Sequence, residues 1–306
     1  MNTTDVARRT EEAESAGWSP GRQVHVYALA LWFASLLLFR QELVDLARLS
    51  FIDENSSHVL LIPLISALLI FWQRETIFRT PRLSPAIGGC LLLAAVLVWY
   101  GLQKAFSRMS HTDYVSATAV LIILVWIGGF ILFYGTSTFK AALFPMLFLS
   151  LMIPVPAALG KSFASVLQKG SAETCGVLFR LIGVPIVQHG FRISLPQVDI
   201  EVAENCSGIH SALALFIAGL LMQHILLRGG WRKAFFVLCV VPIAIFKNAV
   251  RIVTISWLGI HVDAGFFQGQ LHRKGGLPFS FLAMALLGLL TWLLRRPSFL
   301  SGDRVS

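Results

Sequence analysis

Three short stretches carry side chains able to do chemistry in an otherwise apolar chain: "AENCSGIH" at 203–210, "FKNAVRI" at 246–252 and "QLHRKGG" at 270–276. Cys206 stands where a polar loop meets a long apolar run, so it begins a helix. A helix N-terminus and a nearby cation both stabilise a thiolate, and together they bring a thiol that ordinarily titrates near pH ~8.5 into the reactive range at neutral pH. Lys247, Asn248 and Arg251 lie within one apolar helix. An arginine there costs at least ~2.5–3.5 kcal/mol on insertion scales, so it should face a polar cavity. Lys247 and Arg251 are spaced i, i+4 and share a face on which like charges repel, and nothing acidic in the same run offsets them. The pattern predicts a basic, partly desolvated face aimed at an anion. Snorkelling is the alternative, and it suits Arg251 better than Lys247. His272 can exchange protons near neutral pH, although an exposed loop histidine reads the same way. His210 follows Cys206 by one turn on the same helical face and competes for the partner role, as do His58, His111, His189, His224 and His261 from other segments. Gly208 permits close approach of a neighbouring or substrate backbone, or serves as a helix-packing glycine.

The elements that must position these groups are membrane helices. Of 306 residues, 56% are hydrophobic and only 13% charged, against about 25% charged in a soluble domain, and mean hydropathy is +0.73. The expected fold class is therefore an all-α polytopic membrane protein. Eight apolar runs have about the length a ~30 Å hydrocarbon core requires: near 25–44, 58–73, 86–106, 114–134, 139–156, 207–227, 234–258 and 277–295. The second is short, with Pro63 placed to bend it, and the fifth ends at "LMIPVP", where two prolines stop a helix. Residues 160–182 mix Phe163, Val166, Leu167, Cys175, Leu178 and Leu181 with polar residues at helical spacing. They predict an amphipathic helix along the membrane surface. Two β-branched runs around His189-Gly190, with a second turn near Pro196-Gln197, predict a small extracytoplasmic β-hairpin. It would deliver Glu204, Asn205 and Cys206 to the start of the sixth run.

Domain organisation follows as a polar cytoplasmic segment over 1–23, a transmembrane domain over 24–296 and a cytoplasmic tail over 297–306. The first segment does not read as a cleavable signal peptide, so the first span doubles as the insertion signal. Orientation rests on Arg74, Arg79 and Arg82 in one short loop and Arg228, Arg232 and Lys233 in another. Basic short loops stay in the cytoplasm, which places both termini there and Cys206, Arg251 and His272 at the outer ends or outer halves of the last three spans. The net charge of +9 is read as juxtamembrane Lys/Arg; no nucleic-acid motif accompanies it. Cys90 and Cys239 fall inside apolar runs as packing residues, and no metal-ligand pairing such as CxxC or HExxH is present, which argues against a metalloprotease.

"ENCSGIH", "KNAVRI" and "LHRKGG", in this order and spacing, resemble the exosortase/archaeosortase family of multi-pass membrane transpeptidases. "LMIPVP" and the run from "GVPIVQHGFRISLP" to "IEVAENCSG" add to the likeness, which extends over roughly 25–295 and is strongest from 145 to 280. One departure is Val59 after His58, where the family often has His-Gly. The resemblance implies a catalytic cysteine at Cys206, arginine at Arg251 and histidine at His272; Glu204, Asn248 and Lys247 are read beside them as supporting or substrate-binding residues. It implies substrates that are secreted proteins ending in a sorting motif such as Pro-Glu-Pro, a transmembrane helix and a basic tail (PEP-CTERM-like). Cleavage would pass through a thioester to a lipid or glycan acceptor of the cell envelope, at the inner (plasma) membrane. No cofactor or metal and no nucleic-acid partner is implied. The alternative function is a non-enzymatic transporter or polysaccharide-export component whose basic intramembrane face binds an anion.

Overall fold

A backbone in hydrocarbon must satisfy its own polar groups, which favours helix, and all eight apolar runs are helical along most of their length. The computed structural model describes residues 22–53, 56–79, 82–105, 109–202, 208–267 and 276–295. The segments expected at 1–23 and 297–306 therefore lie almost wholly outside the described residues. The chain divides into two units, Met1–Ala157 and Ala158–Ser306.

The first unit is built on α6 (His111–Ala141), its most buried helix. α1 (Arg22–Leu38), α2 (Arg40–Ile52) and α5 (Pro85–Ala105) pack on it. Gly88 and Gly128 bring α5 and α6 close: a Cβ on Gly88 would lie 2.5 Å from the Leu132 backbone. The first apolar run does not continue as one straight span. It bends by 71° between Leu38 and Arg40, where Arg40, Glu42, Asp45 and Arg48 begin a charged helix that is costly to hold in hydrocarbon. α6 is broken at Gly135 (φ 85, ψ 169). There the Arg82 N–H donates to the Tyr134 carbonyl at 3.1 Å, and the Arg82 carbonyl occupies the space a Cβ would need. The break falls at the expected boundary between the fourth and fifth runs. The fifth then continues as α7 (Leu143–Phe148) and a 3-10 turn (Leu149–Met152), ending at extended Ile153 before Pro154. α3 (Leu61–Trp72) packs against α7, with Ser66 Oγ donating to the Pro145 carbonyl at 2.7 Å. Pro63 sits in the first turn of α3, where its missing N–H has no intrahelical partner to lose, so it does not bend the helix. A one-turn helix, α4 (Arg74–Ile77), follows.

Among the described residues, five helices are individually long and apolar enough to cross a membrane, and a sixth crossing forms if the bent pair counts as one. Of the eight runs expected to span, α3 and Leu143–Met152 are shorter apolar helices. The class stands, a helical polytopic membrane protein with one small sheet.

The second unit begins with the expected amphipathic helix, α8 (Ala157–Leu181). Its inner face buries Ala164, Leu167, Ser171, Cys175 and Phe179, while Phe163, Val166 and Leu181 point outward. The hairpin is in fact a three-stranded antiparallel sheet: β1 (Val187–His189), β2 (Arg192–Ser194) and β3 (Asp199–Glu201), in register Gln188↔Ile193↔Ile200. Gly190 (φ 62) is the first residue of the two-residue β1–β2 connection, where a type II′ turn requires positive φ. The chain ends in α9 (Ile209–Leu226), α10 (Gly230–His261) and α11 (Gly276–Arg295).

Candidate active site

α10 is the spine of the second unit. Phe236, Val240 and Ala244 meet α9 and α11 in one core, with Leu215 and Leu287. Ala249 joins a second core with Cys175 and Phe179 of α8 and Ile193 of the sheet. The last three helices are therefore mutual neighbours, as short connections favour. The polar residues of α10 sit where the two cores adjoin. Lys247 is 3% exposed and Asn248 1%; Arg251, one turn on, is half-buried. Lys247 does not snorkel. Its ammonium donates to Ser211 Oγ in the first turn of α9, and Ser211 Oγ donates in turn to the Gly208 carbonyl at 2.9 Å. Asn248 Nδ2 donates to Ser171 Oγ of α8 at 3.0 Å.

These bonds gather around a backbone feature that only glycine adopts cheaply. Gly208 caps α9 in the left-handed region (φ 73, ψ 22). A Cβ there would lie 2.9 Å from Asn248 Oδ1, so the backbone approaches α10 as closely as a residue can. On the other side of the 203–207 segment, Val202 is buried. Its carbonyl accepts from Gln168 Nε2 of α8 at 2.5 Å, and its N–H donates to the Phe191 carbonyl at 2.9 Å. The two residues that bracket 203–207 are thus both tied to polar side chains: Val202 to half-buried Gln168 of α8, and Gly208 to Ser211, which accepts from buried Lys247 of α10.

Of the six site residues expected from sequence, Lys247, Asn248 and Arg251 lie together on one stretch of α10, the first two buried and Arg251 half-buried. Cys206 and Glu204 fall in 203–207 and His272 in 268–275, outside the described residues. Among the competing histidines, His210 is exposed on α9, and His261 stacks on Trp257 with its Nδ1 3.0 Å from the Trp257 carbonyl oxygen. Sequence reasoning did not reach Ser211, Ser171 or Gln168. Their signal is tertiary: each is an ordinary helix-surface polar residue until its partner is known.

The described cysteines differ in chemistry. Cys175 is fully buried, its thiol pushed up to about 12 by desolvation and directed at the Ala249 carbonyl at 3.6 Å. A thiol held neutral in this way is no nucleophile. Cys239 is half-buried. Cys90, expected as a packing residue, lies exposed on the outward face of α5.

The transmembrane exosortase family model matches residues 44–289. The chain belongs to the transmembrane exosortase family. No curated protein and no solved structure matches it. The family match covers α3 to α10 entire and most of α11, so the buried polar stretch and both flanks of 203–207 lie inside the exosortase region.

Proposed function

We propose that this exosortase is a membrane-embedded cysteine peptidase and transpeptidase acting on C-terminal sorting tails of exported proteins. The observation that carries the reading is the anchorage of both residues that flank 203–207: Gln168 holds Val202, and Lys247 through Ser211 holds Gly208. A reactive thiol needs a fixed approach to its substrate, and Cys206 lies in this five-residue segment.

The Cys206 thiolate attacks the scissile carbonyl carbon, and the carbonyl electron pair moves to oxygen. Arg251 stabilises that oxyanion or holds the substrate's motif carboxylate. His272 as imidazolium protonates the leaving amine; the C–N bond breaks and a thioester remains. The acceptor, an amine of an envelope lipid or glycan, or water, then gives its proton to His272 and attacks the thioester, releasing the thiolate. Glu204 and Asn248 orient Arg251 or His272. The site opens on the outer side of the inner membrane, with both termini in the cytoplasm. Substrates carry a motif, a transmembrane helix and a basic tail; the motif is of the PEP-CTERM type. In the alternative, a transporter, Lys247 and Arg251 would serve an anion together and Cys206→Ala would leave transport unchanged.

The test is co-expression of Cys206→Ala with an epitope-tagged substrate bearing such a tail. The full-length precursor should accumulate while the variant remains in the membrane at the normal level. Wild-type processing by Cys206→Ala would remove the nucleophile, and unchanged processing by Arg251→Gln would remove the oxyanion role.

A further inference from the structure

The first unit holds a cavity of about 580 Å³ that the proposed chemistry does not use. It runs between α1, α3 and α6, from His25 and Tyr134 at one end to Trp32 and Trp126 at the other. Seven to eight residues of helix separate those ends, or about 10–12 Å.

The interior makes no polar demand. Trp126 Nε1 donates to Ser35 Oγ at 3.0 Å, and Ser66 Oγ is bonded to the Pro145 carbonyl. Trp32, Trp126 and Phe130 make the rest of this end aromatic, and an apolar space of this kind does not hold water. The other end is polar. His25 Nδ1 and Tyr134 Oη lie 2.9 Å apart in one hydrogen bond, which leaves the second ring nitrogen and an oxygen lone pair able to bond a ligand. Arg74 stands at this end with its guanidinium over Phe71; Glu75 lines it too. Arg74 is the cation among the lining residues, and a guanidinium pairs with a phosphate.

An apolar channel capped by cationic and hydrogen-bonding groups, in a protein that lies in a bilayer, fits one occupant best. We propose that the cavity binds an anionic glycerophospholipid, one acyl chain inserted toward Trp32 and Trp126 and the phosphate at Arg74. The volume lies within the roughly 300–1,000 Å³ usual for ligand sites. A membrane-spanning helix does not fit: a cylinder about 10–12 Å across fills this space in about one turn. Basic recesses between membrane helices are known to take anionic head groups.

The full-length protein, reconstituted in phosphatidylcholine nanodiscs, is exposed to phosphatidylglycerol with a diazirine at the acyl terminus, then to the matching phosphatidylcholine probe. Labelling should concentrate on residues near Trp32 and Trp126, with the anionic probe favoured at least fivefold. Ala67→Trp, which fills the cavity from an exposed wall position of α3, should cut labelling about tenfold. Ala28→Trp does so from the opposite wall if the first variant does not fold. Arg74→Gln should bring the anionic probe down to the neutral one. Labelling spread over the outward face of α5, or insensitive to both tryptophans, overturns the site. Equal labelling by the two probes overturns the anionic lipid. Neither readout depends on substrate processing.

Discussion

Lys247 is the residue at which burial and charge are hardest to reconcile, and its partner gives the reason. A buried ammonium must be hydrogen-bonded, and Ser211 supplies the acceptor while passing a bond to Gly208. Lys247→Met keeps most of the side-chain volume and removes the donor. A bond to a charged group is worth about 1.5–3 kcal/mol, so a position loosened by that amount predicts roughly a 10- to 150-fold fall in processing. The fall should appear in the single-turnover acylation rate, with substrate-tail binding little changed, because Lys247 acts through the backbone ahead of α9. Lys247→Arg should rescue poorly, since a planar fork does not replace a compact ammonium in a closed site. An unchanged acylation rate in Lys247→Met would remove this role. The oddity of Lys247 was legible in sequence, being a cation with no local counter-charge. Its partner was not, because Ser211 lies 36 residues away and nothing in a single chain pairs them.

At the scale of elements, helix and turn chemistry were readable where one local signal decides. The glycine at Gly190, the prolines after Met152 and the helical spacing of 160–182 each did so. The third strand, as short as the other two, escaped because Asp199 and Glu201 are poor strand formers, whereas β1 and β2 flank a Gly turn with β-branched residues around it. The bend after Leu38 escaped because apolar residues on both sides outweigh Arg40 in a window average. Close helix packing was equally hidden, since Gly88 and Gly89 look alike in sequence. A Cβ at Gly88 meets the Leu132 backbone, whereas at Gly89 nothing lies within 4 Å. Gly88→Val should therefore destabilise the α5–α6 pair by about 1–3 kcal/mol, the usual cost of overpacking. Gly89→Val, with the same change in helix propensity, should be nearly neutral. Unfolding in a graded denaturing detergent compares them directly, and equal midpoints would contradict the packing of α5 on α6.

For the whole molecule, the question is whether α3 and the α7 segment cross the membrane. At 12 residues α3 alone reaches about 18 Å, short of a ~30 Å core. Its hydrogen bonds do not stop there, however. The Gln73 N–H reaches the Leu69 carbonyl at 3.0 Å and the Ile77 N–H the Gln73 carbonyl at 2.9 Å, so α3 and α4 together extend about 25 Å. The same continuity joins α6 to α7 through Ala142, bonded to Thr138, and Met146, bonded to Ala142. Charge decides between the two topologies. If neither segment crosses, Arg74, Arg79, Arg82 and Lys140 move to the outer side, against the bias that keeps basic short loops in the cytoplasm. If both cross, those residues stay inside. The side carrying 203–207 is the same either way, because two crossings are added or removed together before it. We therefore expect eight crossings, two of them through locally thinned bilayer. In a background lacking the native cysteines, Arg82→Cys should resist a membrane-impermeant maleimide until the cells are permeabilised, like the reference Arg232→Cys. His111→Cys, at the exposed start of α6, should react from outside at once. The opposite pattern, residue 82 labelled and residue 111 protected, would mean that the two short helices turn back within the membrane and that six crossings carry the chain.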